Sequence, residues 1–273
     1  MKKHLVYLAL LILAAVLLGT QLPTQSVEAR NPTSPPPNDV AVTAVGSDID
    51  PEAMAALTRM GTYLRSIKAF QVEAVTTRDE VLDSGQQIQF DSKVNFLVRM
   101  PDRLRIEVEN VRQHRLYLYD GKDFTVWAER ANYYATVPAP PTVGKLAGEV
   151  DDKYGIQIPL EDLFYWGTPQ SKEKDITGAI DVGPSEVGGV TCEHYAFRQK
   201  GLDWQAWIQM GDFPLPRKLV ITTLTDESRP QYSSVLTWNL APSFNDAAFE
   251  FAPPKDAHKI AIAEESAPAG AEK

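Results

Sequence analysis

The sequence predicts a mainly antiparallel α+β fold: one strongly curved, half-open sheet of about ten strands, with an N-terminal helix and a short helical lid. Three observations support this fold class. Residues 88–109 alternate between apolar and polar side chains, an amphipathic helix precedes them, and apolar residues recur at helical spacing within residues 138–166. A sheet with one polar face must cover its other face, and a twisted sheet of this size does not stay flat. We therefore expect the sheet to bend around its helices.

The first 29 residues are typical of a cleavable signal peptide. Lys2 and Lys3 precede an apolar run from Leu5 to Leu18, and Val27-Glu28-Ala29 supplies small residues at the −3 and −1 positions of a cut before Arg30. This apolar run is too short to cross a hydrocarbon core about 30 Å thick. No cysteine lies at the cut to carry a lipid anchor, so we expect a soluble periplasmic protein that is not membrane-anchored.

One domain is expected between two flexible ends. Residues 30–47 form a Pro-rich linker that we predict to be disordered, and the tail 264–273 has a similar composition. Residues 48–263 are enough for one sizeable core. The net charge of −9 excludes nucleic acid as a partner and argues against electrostatic docking to anionic lipid.

The domain begins with a helix that leads into strands. Asp50 can cap the helix and Pro51 suits its first turn. One apolar stripe follows, formed by Met54, Leu57, Met60/Gly61, Leu64 and Ile67. In the strand region 88–109 the apolar side chains are even-numbered, namely Ile88, Phe90, Val94, Phe96, Val98, Met100, Leu104, Ile106 and Val108, and Leu97 is the single large apolar exception at an odd position. Upstream, Phe70, Val72 and Ala74 keep the same parity.

Turn residues divide the strands. Asp83-Ser84-Gly85 and Asp120-Gly121 are typical of hairpin turns, and Pro101 indicates a break between two strands. Two short helices interrupt the pattern. The first carries Val143, Leu146, Val150 and Tyr154, and the second spans residues 159–166 with a proline at its start. Strands resume at 180–183, 190–199, 204–210, 217–225 and 231–240.

The stretch from residue 187 to 221 concentrates reactive and aromatic side chains. Pairing Gln199 with Trp204 would place one set on the apolar face: Tyr195, Phe197, Ala206, Ile208 and Met210. The opposite face would carry Cys192, His194, Ala196, Arg198, Gln205, Trp207 and Gln209. Glu193 then points away from His194 and Cys192, which argues against a catalytic or zinc cluster.

No catalytic residue, metal ligand or cofactor is predicted. The sequence contains no HExxH, CxxC or GxGxxG motif. Cys192 is the only cysteine and lies in an apolar-alternating segment, so a small buried apolar residue is favoured over a reactive thiol. An enzyme is therefore the third choice among the possible functions.

Seven stretches together resemble a family of predicted periplasmic proteins, domain of unknown function 2092, over residues 49–261. They are DPEAMAALTRMGTYLRSIKAF, RMPDRLRIEV, YLYDGKDFTVW, YYATVPAPPTV, GIQIPLEDLFYW, LDWQAWIQMGDFPLPRKLVIT and FEFAPPKDAHKI. This family looks related to the lipoprotein carriers LolA and LolB and to the sensor RseB. The resemblance implies a LolA-like half-open bent sheet with a helical lid over an apolar hollow.

One departure from the carriers concerns the lid. Their strand-proline-strand element has an arginine directly before the proline, where it helps to hold the lid. Here Met100 takes that position on the apolar face, and Arg99 lies one place earlier on the polar face. Because one residue along a strand reverses side-chain direction, the sequence does not predict a lid held by arginine in the carrier manner.

The leading hypothesis is a non-enzymatic binder of an apolar or lipidic ligand, which includes lipid or lipoprotein acyl chains. The candidate wall of its cavity consists of Phe90, Phe96, Met100, Tyr195, Phe197 and Ile208, and the candidate lid residues are Leu163, Phe164 and Trp166. On composition alone, a filled core is favoured over a ligand cavity for Tyr195, Phe197 and Ile208. The alternative function is then a protein-interaction module, an RseB-like sensor or regulator of envelope proteins, whose outer face would include Trp207.

Overall fold

The structure is a computed structural model that describes residues 49–263. The expected signal peptide 1–29, linker 30–47 and tail 264–273 lie outside the described residues. The helices are α1 (Pro51–Ser66), α2 (Val143–Tyr154) and α3 (Asp162–Tyr165). The strands are β1 (Ala69–Val81), β2 (Gln87–Arg99), β3 (Arg103–Glu109), β4 (His114–Tyr119), β5 (Asp123–Ala128), β6 (Tyr133–Pro138), β7 (Ile176–Val187), β8 (Val190–Gln199), β9 (Leu202–Gln209), β10 (Pro216–Thr223), β11 (Gln231–Asn239) and β12 (His258–Lys259).

The helix α1 forms as its sequence predicts. The carboxylate of Asp50 accepts a hydrogen bond from the backbone N–H of Glu52 (2.8 Å), which satisfies one free donor of the first turn. Pro51 is the first helical residue. The face turned to the sheet is buried and consists of Ala53, Ala56, Leu57, Met60, Gly61 and Leu64.

All described strands belong to one sheet, in the order β12-β6-β5-β4-β3-β2-β1-β11-β10-β9-β8-β7. Neighbours are antiparallel except for β12 and β6, and the two edge strands, β7 and β12, do not pair with each other. The fold class is thus confirmed, but the sheet has twelve strands instead of about ten. The sequence pattern does not predict β6, which ends at Pro138, or β12, which is two residues long.

The apolar residues lie on one face, called the inner face below, as the alternation predicts. Val72, Phe96 and Ile106 are fully buried there, and one continuous core runs from β7 at one edge to Val137 of β6 near the other. At about 4.8 Å per strand, a flat sheet of this size would be roughly 50 Å wide. A few helices, each about 10–12 Å in diameter, can share one core with such a face only if the sheet bends around them.

The two predicted lid helices are present, but the second is shorter than expected. All of the α2 residues Val143, Leu146 and Val150 are buried. The second helix begins only at Asp162 and not at Pro159, because Leu160 adopts a left-handed backbone conformation (φ 51°) that a right-handed helix cannot include.

The register between β8 and β9 corrects one prediction. Phe197 is the cross-strand partner of Trp204, and Gln199 pairs with Leu202 instead of Trp204. A tight turn at Lys200-Gly201, with φ +84° at the glycine, sets this register. Since the shift is two residues, the predicted faces remain the same. Met210, expected on the inner face, lies beyond the end of β9 and is 49% exposed.

The C-terminal segment, residues 246–251, lies on the outer face of β2, β3, β5 and β6. Arg99 forms a salt bridge with Asp246 (2.6 Å), Arg105 reaches the carbonyl of Ala248, and Phe251 packs against Trp127 and Tyr134. Leu97 lies on this outer face beside Arg99 and pairs with Arg105. This coverage is the reason that an apolar residue is tolerated there.

Two histidines on the outer face have opposite pKa shifts. His114 contacts the carboxylates of Glu107 (2.7 Å) and Glu129. Burial lowers the pKa of His114, but the hydrogen bonds and charges of these two carboxylates outweigh burial and raise it. Burial lowers the pKa of His194, and its hydrogen bond to Gln205 only partly compensates.

We expect His114→Gln to lower the free energy of unfolding by about 0.5–1 kcal/mol at about pH 5, as for a partly exposed ion pair, and by much less at about pH 9. A histidine with a raised folded pKa stabilises the fold below its unfolded pKa, and this contribution is lost as pH rises through the folded pKa. Urea denaturation measures both values. His194→Gln is the control, since its lowered pKa gives the opposite trend. The same pH dependence in both variants would contradict the assignment.

Candidate functional site

The deep part of the hollow is filled in this structure. Four predicted wall residues, Phe96, Tyr195, Phe197 and Ile208, are at most 4% exposed and belong to the core. Met100 is half-buried and packs against that core. The prediction therefore located the inner face correctly, but most of these side chains contact other protein side chains.

The predicted lid residues close over this wall. Leu163 and Phe164 are 1% exposed, and Trp166 is 7% exposed. The ring of Trp166 stacks near Trp204 (6.3 Å between centroids), which in turn stacks on Phe197 (4.2 Å). An aromatic column thus joins the lid to β9 and β8.

The lid is held to α1 through its backbone. Arg65 donates hydrogen bonds to the carbonyls of Phe164 (3.0 Å) and Leu163. One turn earlier on α1, Gly61 touches Gly167 so closely that a Cβ at either position would lie 2.6 Å from backbone atoms of the other. We call these three contacts the lid anchor.

The lid anchor confirms that Arg99 does not hold the lid. Arg99 lies on the outer face, paired with Asp246 and placed over the ring of Phe249 (5.4 Å). The arginine that holds the lid is Arg65, which the sequence analysis did not identify. Its carbonyl partners are almost one hundred positions away along the chain, and no local pattern signals such a contact.

One strip of the inner face stays partly open, near the turns that follow β1, β8 and β10. It is lined by a row of directly paired residues, named the inner row: Trp204, Ile221, Tyr232, Arg78 and Phe90. Ile221, Tyr232 and Phe90 are half-buried. Phe90, a predicted wall residue, lies at the far end of this row under the guanidinium of Arg112 (3.9 Å), outside the core.

Two carboxyl groups lie in or next to α3. Burial raises the pKa of Asp162. Burial and the charge of Asp162 raise the pKa of Glu161 to about 7. Burial and Asp162 also raise the pKa of Tyr232 to about 12, so this hydroxyl stays protonated at neutral pH.

A second opening lies at the other end of the inner face. It has a volume of about 280 Å³ and lies between the N-terminal half of α1 and strands β7 to β9. Tyr195 and Ile208 form part of its lining, with Arg59, Asp181 and Glu193 around them. Its volume is near the lower end of the range for small-molecule sites.

The reactive residues of the 187–221 stretch have structural contacts. Cys192 is fully buried and burial raises the pKa of its thiol, as expected for a small apolar residue. On the outer face, the ring of Trp207 stacks on His194 (3.9 Å between centroids). The amine of Lys218 lies over the Trp207 ring, 4.6 Å from its centroid. Trp207 is thus held by its cross-strand partners on both sides.

Within residues 49–263, no group of three or more His, Cys, Asp or Glu side chains could hold a metal ion. In the same residues, no helix is long and apolar enough to cross a membrane. Together with the contacts described above, residues 49–263 thus form an open, mainly antiparallel sheet with an anchored lid and a partly open inner strip.

The chain belongs to a known family. The family described as "Predicted periplasmic protein (DUF2092)" matches residues 53–263. This match confirms the resemblance seen in the sequence and the periplasmic localisation. No curated protein matches the chain in sequence.

Several solved structures are similar over most of the chain. The lipoprotein LppX of Mycobacterium tuberculosis is 10% identical with a TM-score of 0.38, over 72% of this chain and all of LppX. LprF of Mycobacterium bovis is 14% identical with a TM-score of 0.36, over 77% and 99% of the two chains. A LolA superfamily protein of Nitrosomonas europaea is 10% identical with a TM-score of 0.35, over 73% and 97%. At these scores, function has to be argued from the geometry of this chain.

We expect Gly61→Ala to loosen the lid. The new methyl group would lie 2.6 Å from the backbone nitrogen of Gly167, so α1 and the lid must separate, at a cost of roughly 1–3 kcal/mol. Denaturant unfolding measures this cost, and hydrogen exchange should become faster in residues 162–167. Gly144→Ala in α2 is the control, because its Cβ meets open space and should stabilise the helix by up to about 1 kcal/mol. Equal effects of both changes would refute the contact.

Proposed function

We propose that this protein is a non-enzymatic periplasmic binder of an apolar or lipidic ligand. The ligand lies on the inner strip, between the inner row and the lid. The observation that carries this proposal is that half-buried apolar side chains of Ile221, Tyr232 and Phe90 line one strip of an otherwise filled inner face. Phe90 is the one predicted wall residue that belongs to this strip.

Burial of an acyl chain of modest length supplies enough free energy for binding. Each buried methylene contributes about 0.8 kcal/mol, so ten methylenes give roughly 8 kcal/mol before ordering costs. This corresponds to a dissociation constant in the micromolar range. Movement of the lid would give an acyl chain of the ligand access to the deeper wall residues Phe197 and Tyr195. In the closed arrangement Trp166 stacks near Trp204, and Trp204 stacks on Phe197.

Two consecutive residues of β10 provide the test. Ile221 points to the inner strip, and Val220 points to the outer face. We expect Ile221→Asp to weaken binding of the neutral fluorophore N-phenyl-1-naphthylamine by about tenfold or more, and Val220→Asp to leave it unchanged. Fluorescence titration measures both, with circular dichroism to verify folding. Native mass spectrometry of protein from its own periplasm should detect a bound lipid.

Phe90→Ser is an independent check of binding at the inner strip. It should weaken binding of the same fluorophore and leave the fold intact, because Phe90 lies outside the core. The proposal is refuted if the wild-type protein binds no probe and carries no lipid. It is also refuted if Val220→Asp and Ile221→Asp affect binding equally while both variants remain folded.

A second candidate function has support on the outer face of β1 and β11. Two directly paired apolar residues are unusually exposed there: Val75 (56%) and Val235 (39%). Exposed apolar patches are typical of protein-interaction sites, and this one fits a sensor or regulator of envelope proteins.

A photocrosslinking residue in place of Val235 tests this second function in the intact periplasm. We expect one reproducible protein adduct, which Val75→Asp should reduce severalfold because Val75 is the cross-strand neighbour of position 235. The same photocrosslinker in place of Thr222, on the outer face near the turn after β10, is the control. Adducts that are the same from both positions would argue against a specific partner.

A further inference from the structure

The cavity at the other end of the inner face has an acidic lining that the proposed function does not use. It is the opening of about 280 Å³ between the N-terminal half of α1 and strands β7 to β9. Three carboxylates line it, those of Glu52, Asp181 and Glu193, and Arg59 supplies one guanidinium. Arg59 is already bound to Glu52 (2.6 Å). The lining is therefore net negative, and its uncompensated charge lies on Asp181 and Glu193.

These two carboxylates converge on one glycine. Asp181 accepts a hydrogen bond from the backbone N–H of Gly183 (2.9 Å), and an oxygen of Glu193 lies 4.0 Å from the place that a Cβ on Gly183 would take. Burial and the nearby charge of Asp181 raise the pKa of Glu193. Two like charges at such a distance disfavour each other. A cation placed between them would relieve this repulsion.

The hydroxyl of Tyr195 adds a polar group without a partner. Tyr195 is the cross-strand neighbour of Asp181, lines the cavity and is 3% exposed. Its hydroxyl forms no hydrogen bond within residues 49–263 and, unlike the indole N–H of Trp204, it is not closed to solvent. Burial and the carboxylates of the cavity raise its pKa to about 12, so it stays protonated at neutral pH. Because buried polar groups nearly always have a partner, this hydroxyl points to a molecule in the cavity.

The rest of the lining favours an organic cation over a metal ion. Ala56, Ile208, Met210 and Pro214 provide apolar surface. The carboxylates do not form a metal site, since no group of three or more His, Cys, Asp or Glu side chains within residues 49–263 could hold an ion. A hydrocarbon group of the ligand would lose its contact with water against these apolar side chains. The cavity volume suits a small molecule.

We infer that this cavity is a second binding site, for a small primary amine that carries an apolar group. The ammonium group has three N–H donors, and it donates to the carboxylates of Asp181 and Glu193 and to the hydroxyl oxygen of Tyr195. The apolar group lies against Ile208 and Met210. An anion of the same size is repelled by the lining. This site is separate from the inner strip and does not depend on the proposed function.

Three compounds of nearly the same shape test the inference. At neutral pH 2-phenylethylamine is a cation, 2-phenylethanol is neutral and 3-phenylpropanoate is an anion. Isothermal titration calorimetry at constant ionic strength measures their binding. We expect the amine to bind about tenfold or more tightly than the alcohol, because hydrogen bonds between charged groups are stronger than neutral ones. The anion should bind more weakly than the alcohol.

Matched variants locate the amine in the cavity. Glu193→Gln and Asp181→Asn keep the shape of each side chain, and each should weaken binding of the amine about fivefold or more without changing binding of the alcohol. Glu186→Gln removes an exposed carboxylate of β7 that lies outside the cavity, and it should leave binding of the amine unchanged. Ile221→Asp in the inner strip should also leave it unchanged, which separates this site from the proposed function.

Tyr195→Phe separates binding from structure. We expect it to weaken binding of the amine severalfold and to keep or raise the Tm of the free protein, because the lost hydroxyl has no partner in the described residues. A tyrosine that served only the fold would lower the Tm and leave binding unchanged. That result would overturn the inference. So would equal binding or no binding of the three compounds, tightest binding of 3-phenylpropanoate, or an equal loss of amine binding in Glu186→Gln and Glu193→Gln.

Discussion

The amount of helix available to cover the inner face is the constraint on which this structure depends. Twelve strands present a continuous apolar surface, and the three helices that lie against it have 16, 12 and 4 residues. Bending brings the sheet around these helices and fills the deep part of the hollow. The lid reaches Trp204, but Ile221, Tyr232 and Phe90 farther along the inner row stay half-buried.

The lid is attached in a way that leaves its polar side chains available. Its contacts with α1 involve the carbonyls of Leu163 and Phe164 and the backbone of Gly167. A charged donor to a neutral carbonyl contributes about 1.5–3 kcal/mol, which is sufficient to hold a four-residue helix. Because the anchor uses backbone groups, the side chains of Asp162 and Glu161 take no part in it.

The sequence predicts the faces of the strands better than their contacts. Period-two alternation correctly assigns Phe96, Phe197 and Ile208 to the inner face, because side-chain direction in a strand is a local property. The pairing of Gln199, by contrast, depends on the geometry of the turn at Gly201 and is displaced by two residues. The degree to which each side chain is buried likewise depends on contacts that the local sequence does not specify.

Long-range contacts account for the rest of what sequence could not supply. Arg65 and the lid are far apart in the chain, and so are Leu97 and the C-terminal segment around Asp246 and Ala248. The sequence pattern therefore indicates the face of the sheet on which a hollow would lie. Whether it was filled or open depended on how the helices fit, and the answer differs between its deep part and its strip near the turns.

The residues that break the alternation separate structural from functional positions. On the outer face, some exceptions have contacts within the chain: Leu97 lies beside the arginines that bind the C-terminal segment, and Trp207 is stacked between His194 and Lys218. Others do not, since Val75 and Val235 are exposed on the same face. Natural sequences break local rules mainly at functional sites. An exception that contacts other side chains of the fold is explained by stability, whereas an exposed apolar exception is a candidate for contact with another molecule.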